Sequence, residues 1–330
     1  MVLSIRKPAV GHRAPQECCT AWGAVRIAQS AWLLASRGPP PEPEESSGEF
    51  LHGMRRTAAD LTMQIMKCAL TIAGSDPTGG AGLQADLQVF SAYGVHGAGV
   101  VTALTVQDSS GVRAVMPVFP SVALDQLRVL LADITPAAIK IGMLASDDVA
   151  RSVQLALSGF ATQIPTVIDP VLAASDGTPL LERRAWPVLR ELMRGARLVT
   201  PNLHEAELLT EIEIGRKRDC EAAAEVFLEK FGCEAVLIKG GHRDGPPDDL
   251  LAIAQESANP MTWLKGERID AGAVHGTGCA LASAITAGLA LGQGLEEAVN
   301  HARCFVATRL RGASGLGSGA AFLAPAREHS

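Results

Sequence analysis

The stretch CALTIAGSDPTGGAGLQADLQVFSAYG, residues 68–94, decides the fold. Cys68–Ala73 is an apolar run of strand length that ends at a glycine. Ala81–Ala92 then places Leu83, Leu87 and Phe90 at helical spacing, and Gly94 stops the helix. Strand, glycine turn and helix in that order form half of a βαβ unit. The pattern repeats along the chain. Val100–Val106, Ile139–Ile141, Thr166–Asp169, Leu198–Thr200 and Ala235–Ile238 read as strands, the last three each followed by a turn and a helix. Leu124–Leu131 and Asp147–Leu157 read as helices, and Cys279–Leu291 and Leu295–Leu310 as a closing helical pair split by a GQG turn. Such alternation predicts an α/β domain: a mostly parallel sheet with helices on both faces, its ligand beyond the carboxyl ends of the strands.

Composition agrees. The chain has 330 residues, 47% hydrophobic and 19% charged, which is enough apolar material for a large core. A net charge of −6 argues against nucleic acid, and no apolar stretch reaches the ~18 residues of a membrane span. The seven cysteines include no C-x-x-C pair, so a reducing, cytoplasmic compartment is the expectation, with neither zinc nor a disulfide framework. Residues 1–65 differ. Five basic residues stand against one acid in 1–38, and GPPPEPEESSGE follows at 38–49. This predicts a disordered leader and linker ahead of a single domain over 66–330. Its arginine-rich start also loosely resembles an organelle transit peptide, and Met54, Met63 and Met66 are alternative starts.

Five segments follow strands on the ligand side. Gly74–Gly82 is glycine-rich and opens a helix, so exposed N–H groups favour an anionic or carbonyl partner; its spacing fits neither the P-loop nor the dinucleotide fingerprint. Gln107 offers donor and acceptor together, as the edge of an aminopyrimidine requires, though a solvated loop residue explains it too. Asn202 and Glu205 make a helix cap, or place a carboxylate near a water-bearing Mg²⁺. Lys239, leaving an apolar strand into Gly240-Gly241, is a phosphate hook or a snorkelling strand end; His242 beside it reads as an exposed loop residue. Gly276-Thr277-Gly278-Cys279 opens a helix with free N–H groups, an anion hole suited to a transferring phosphoryl group. There the helix dipole is expected to lower the thiol's pKa from about 8.5.

GSDPTGGAGLQAD, VVTALTVQ, KIGML, DPVLAASDG, TPNLHEAELL, IKGGH and HGTGC, taken in order, resemble the hydroxymethylpyrimidine/phosphomethylpyrimidine kinases of thiamine synthesis, which have the ribokinase-like fold. The resemblance covers residues 66 to about 312. It implies phosphorylation of 4-amino-5-hydroxymethyl-2-methylpyrimidine or its monophosphate, with ATP and Mg²⁺. By motif, Gln107 binds the pyrimidine, and Gly74, Asp86, Met143 and Val171 line its pocket. Lys239 contacts phosphates, Asn202 and Glu205 organise Mg²⁺, and Cys279 sits beside the substrate hydroxyl as the candidate base, with the Gly276–Gly278 backbone as anion hole. The tail from Gly312 lacks a His/Pro-rich finish and is given no role, and the proline-rich Arg243–Asp249 leaves the nucleotide lid undefined. A pyridoxal kinase is the nearest rival and a non-catalytic pyrimidine-binding module a more distant one. A small-molecule substrate is the implied partner, and a homo-oligomer is compatible with it.

Overall fold

The computed structural model describes residues 66–159, 164–241, 246–255 and 260–325. The leader and His242 lie outside these, as do the first residues of the proline-rich segment. The opening stretch folds as read: β1 (Cys68–Ser75) enters a turn and α1 (Gly82–Ala92), and Gly94 takes the left-handed conformation, φ +69°, that ends the helix. Next come β2 (His96–Asp108), β3 (Gly111–Pro117), α2 (Pro120–Asp133), β4 (Ala138–Ile141) and α3 (Asp147–Leu157). They are followed by β5 (Thr166–Ile168), α4 (Trp186–Met193), β6 (Leu198–Val199), α5 (Leu203–Thr210), α6 (Lys217–Glu225) and β7 (Ala235–Ile238). The remainder is β8 (Asp249–Ile253), β9 (Met261–Leu264), β10 (Val274–His275), α7 (Thr277–Ala290), α8 (Leu295–Arg311) and β11 (Ala321–Phe322).

Nine strands form one sheet in the order β3-β2-β1-β4-β5-β6-β7-β8-β9, and the six from β2 to β7 run parallel. One expectation is corrected here. β7 is not followed by a helix but by the antiparallel hairpin β8–β9, which extends the sheet. Antiparallel β3 closes the opposite edge.

Alternation along the buried strands sends residues to two cores. Leu70, Ile72, Ile139, Ile141, Val236 and Ile238 join one with α2 to α6. Ala69, Ala138, Ala235 and Leu237 face α1, α7 and α8. α7 is apolar nearly all round, with ten of its fourteen residues buried, so it runs as a core helix under the sheet. On that same face, between Ala138 and Gly142, the pleat places Lys140, a charge inside the core.

From β1 the chain steps one way to β2 and the other way to β4. The crevice beyond the carboxyl ends of β1 and β4 is therefore the topological switch point, where open α/β sheets bind ligands.

Candidate active site

The first glycine turn is folded by its own aspartate. Asp76 is buried, and its carboxylate accepts Thr78 N–H and Thr78 Oγ1, both at 2.8 Å, and Ala81 N–H at 2.9 Å. The same carboxylate meets His275 Nε2 at 2.9 Å, tying this turn to the one before α7. Burial alone would raise Asp76, but hydrogen bonds from His275 and Thr78 hold its carboxyl below the usual range. The two turns touch through backbone. Gly276 has φ +80°, and a Cβ there would overlap the Gly80 carbonyl oxygen, so the approach demands glycine.

Gly74 lies at the end of β1 and Met143 just after β4, the two strands flanking the switch point. A Cβ on Gly74 would lie 2.8 Å from Met143 Sδ, and Val171 packs with Met143 against Ala103. Three of the residues expected on the substrate side thus share one small apolar cluster. Gln107 stands at a bulge late in β2, half-buried, its amide unbonded among the described residues. No described contact ties it to that cluster.

Asp86 departs from the expectation. It is fully buried rather than lining a pocket, and its oxygens are saturated by Thr71 Oγ1 (2.6 Å), Ser283 Oγ (2.6 Å) and Lys140 Nζ (2.8 and 3.0 Å). A carboxylate on the core face of α1 has to be neutralised where it sits, and Lys140 does that.

On the other side, Lys239 Nζ donates to Asp169 Oδ1 at 2.8 Å, and Thr200 Oγ1 reaches the same oxygen at 3.1 Å. Lys239 overhangs the second glycine turn, where a Cβ on Gly278 would lie 3.1 Å from Nζ. Burial works against both charges, but Lys239 and Lys140 hold Asp169 low, and Asp169 and Glu205 hold Lys239 up as an ammonium. Asn202 and Glu205 form a complete capping box on α5, Asn202 Oδ1 accepting Glu205 N–H and Glu205 Oε2 accepting Asn202 N–H. An isolated backbone bridge sets Asn202 beside Lys239. Glu205 is buried and pushed up to about 7 by that burial. The capping and metal readings thus fall on the same side chains.

α7 starts without a side-chain cap, which leaves the N–H groups of Thr277, Gly278 and Cys279 without a side-chain acceptor. Cys279 is partly exposed and lies against the Gly82 amide at the start of α1. The expected lowering of its thiol is overturned. Desolvation, with Asp169 and Asp86 nearby, outweighs Lys140 and the Gly82 N–H, and the thiol is pushed up to about 11.

Sequence reasoning passed over Asp169, Lys140, Asp76 and His275 as site residues. The signal existed for two of them: a lysine inside AIKI and an aspartate closing TVID are charges in or just beyond otherwise apolar strands. The tail also gains a place. Ala320 N–H donates to Ser109 O (2.8 Å), Gly319 N–H to Ser109 Oγ (3.1 Å), β11 pairs with β10, and Phe322 stands edge-on to His275 at 6.3 Å.

A parallel sheet whose switch point is flanked by an apolar cluster and an anion-ready helix start defines a small-molecule kinase of the ribokinase-like class, and known structures agree. The chain is 37% identical to the phosphomethylpyrimidine kinase of Clostridium difficile 630, with a TM-score of 0.64 over 73% of this chain and 98% of that one. It is 30% identical to Bacillus subtilis pyridoxal kinase in its ADP complex, with a TM-score of 0.70 over 79% and 97% of the two chains. Within that class the chain belongs to the phosphomethylpyrimidine kinase family, whose sequence model matches residues 76–323. A hydroxymethylpyrimidine/phosphomethylpyrimidine kinase of Streptomyces coelicolor is 40% identical over 251 residues, 76% of this chain and 91% of that protein.

Proposed function

We propose that the chain phosphorylates the hydroxymethyl group of 4-amino-5-hydroxymethyl-2-methylpyrimidine, and the resulting monophosphate, with ATP as donor, in thiamine biosynthesis. One observation carries this reading. A continuous row of neighbours runs from Met143 through Gly74, Gly82, Cys279 and Gly278 to Lys239, which supports an apolar ring site at one end and a phosphate site at the other.

In this arrangement Gly74, Met143 and Val171 give the ring an apolar wall, and the amide of Gln107 is free to pair with its edge. Asp86 supports this wall from beneath. Lys239 and the N–H groups of Thr277, Gly278 and Cys279 face the phosphates, where the charge of the transferring group is stabilised. The acceptor oxygen forms the new P–O bond, the bond to the β,γ-bridging oxygen breaks, and the hydroxyl proton is released beside Cys279. Because the thiol sits at about 11, Cys279 meets that hydroxyl chiefly as a neutral hydrogen-bond partner, and only its small thiolate fraction acts as a base.

The ADP complex of the Bacillus subtilis relative supports ATP use. Mg²⁺ keeps several waters and is held largely through substrate phosphates with one or two protein groups. Asn202 and Glu205 would organise that ion, which supplies charge neutralisation of the phosphates. We place the catalytic domain in residues 66–330 and residues 1–65 outside it. The Streptomyces coelicolor relative, nearly all of it matched by 76% of this chain, supports that division. A cytoplasmic enzyme of small-molecule substrates fits the same picture, and no helix among the described residues is long and apolar enough to cross a membrane.

The pyridoxal kinase alternative rests on the higher TM-score to that enzyme. A coupled ADP-release assay with the pyrimidine alcohol, its monophosphate and pyridoxal in parallel separates the two. Turnover highest on the pyrimidines is expected. Turnover highest on pyridoxal moves the assignment, and stimulation by none of the three removes the kinase reading.

A further inference from the structure

Lys140 has no role in the chemistry described so far, yet it is the most deeply buried cation near the site, with no exposed surface. Its ammonium lies against Gly142, 2.7 Å from where a Cβ would stand, just before Met143. Its counter-ion Asp86 binds Thr71 on β1 and Ser283 on α7 as well. Ser283 is one turn beyond Cys279, so both project from the same face of α7. One ion pair therefore knits β1, α1, β4 and α7 directly behind the thiol.

We propose that Lys140 is a positioning residue for phosphoryl transfer, acting through Cys279: with Asp86 it fixes α1 to α7 behind the two glycine turns and sets a permanent positive charge behind the thiol. This rests on the reading that Cys279 faces the acceptor hydroxyl. The pair is an expensive way to fill a core, since an apolar pair of the same shape is often at least as stable. A core lysine whose partners all lie around one reactive side chain has instead the placement of an electrostatic support.

The charged groups around Cys279 are Lys140 from β4, Asp86 from α1, Asp169 after β5 and Lys239 after β7, together with the Gly82 amide. Lys140 favours the thiolate, and Asp86 and Asp169 oppose it. The two members of the ion pair therefore act on the thiol with opposite signs, although losing either one breaks the same structural link.

The test is the pH dependence of Cys279 alkylation by iodoacetamide in the full chain without substrate, read by mass spectrometry on the peptide so that exposed Cys304 does not interfere. Lys140→Met is expected to move the alkylation midpoint up, and Asp86→Asn to move it down, each by about one unit, or tenfold in rate at a fixed pH below the midpoint. Shifts in the same direction, or none in either variant, overturn the proposal, because a purely structural link would disturb the thiol alike in both. If one variant does not fold, the sign of the other's shift decides: up for Lys140→Met or down for Asp86→Asn is expected, and no shift or the opposite sign overturns the proposal. The readout needs no turnover. Correct shifts in a chain that phosphorylates neither pyrimidine nor pyridoxal would sink the kinase assignment and leave standing only the coupling of Lys140 and Asp86 to the thiol.

Discussion

Two lysine–carboxylate pairs stand behind the crevice, and they differ in what they leave unsatisfied. Lys140–Asp86 is sealed: neither side chain has any exposed surface, and Asp86 has three different side-chain donors. Lys239–Asp169 sits at the rim: Lys239 keeps 16% of its side chain exposed, overhangs the helix start, and has raised Glu205 nearby. A saturated pair can only shape its surroundings, whereas an open pair still has charge to offer a ligand. On the proposed function, the first pair is scaffold and the second faces the phosphates.

Substitution by methionine should separate them. Lys239→Met is expected to lower kcat by about 10²–10³-fold, the size seen when one preorganised charge stabiliser is removed. Its cost in stability should be the smaller of the two, because Asp169 keeps Thr200 and the rim is open to water. Lys140→Met should do the reverse. Stranding Asp86 in the core costs about 3–5 kcal/mol of unfolding free energy. Denaturant unfolding and the coupled assay on both variants check the pattern. Equal losses of stability would erase the distinction between sealed and open pairs.

The open pair should also show in the pH dependence of stability. Glu205 is raised from an ordinary 4.5 to about 7, so the folded protein holds its proton more tightly than the unfolded chain. Its contribution is therefore fully present below pH ~4.5 and lost as pH rises through about 7, on the order of 3 kcal/mol. Asp169, held low, works in the opposite sense, its contribution being lost in acid. Unfolding midpoints measured in chelator from pH 5 to 8 should fall more steeply for the wild type than for Glu205→Gln, which has no proton to lose. Parallel curves would show that Glu205 does not titrate in this range.

What could be read from the sequence follows the same division. The βα stretch at 68–94 and the helix start at Gly276–Cys279 were legible because glycine turns and strand-to-helix switches are local signals. Lys239 and Asn202 were legible because a polar residue leaving an apolar strand points at the ligand side. The sealed pair was hidden. Lys140 and Asp86 are 54 positions apart, and only the fold reveals that each neutralises the other. The rise of the Cys279 thiol was hidden for a related reason. A dipole can be inferred from a helix start, but desolvation and the Asp169 and Asp86 charges arrive from other elements. The β8–β9 hairpin replaced an expected helix because short apolar runs such as LLAIA do not distinguish strand from helix by period.

The smallest expected effect concerns the tail, whose low complexity gave no sequence signal. Its contacts join the β2–β3 turn at Ser109 to the strand of His275, and Arg309 Nη1 donates to Ala324 O to fasten the far end. Phe322 covers Gly80 and meets His275, which in turn holds Asp76. Phe322→Ala removes an aromatic contact of about 0.5–1.5 kcal/mol, so KM for the pyrimidine should rise by about two- to tenfold. The kcat should change less, because Lys239 and the α7 N–H groups are untouched. The sealed pair should be unaffected, and the midpoint of Cys279 alkylation should stay with the wild type. A variant with unchanged KM would show that the tail packs against the two glycine turns without holding them together.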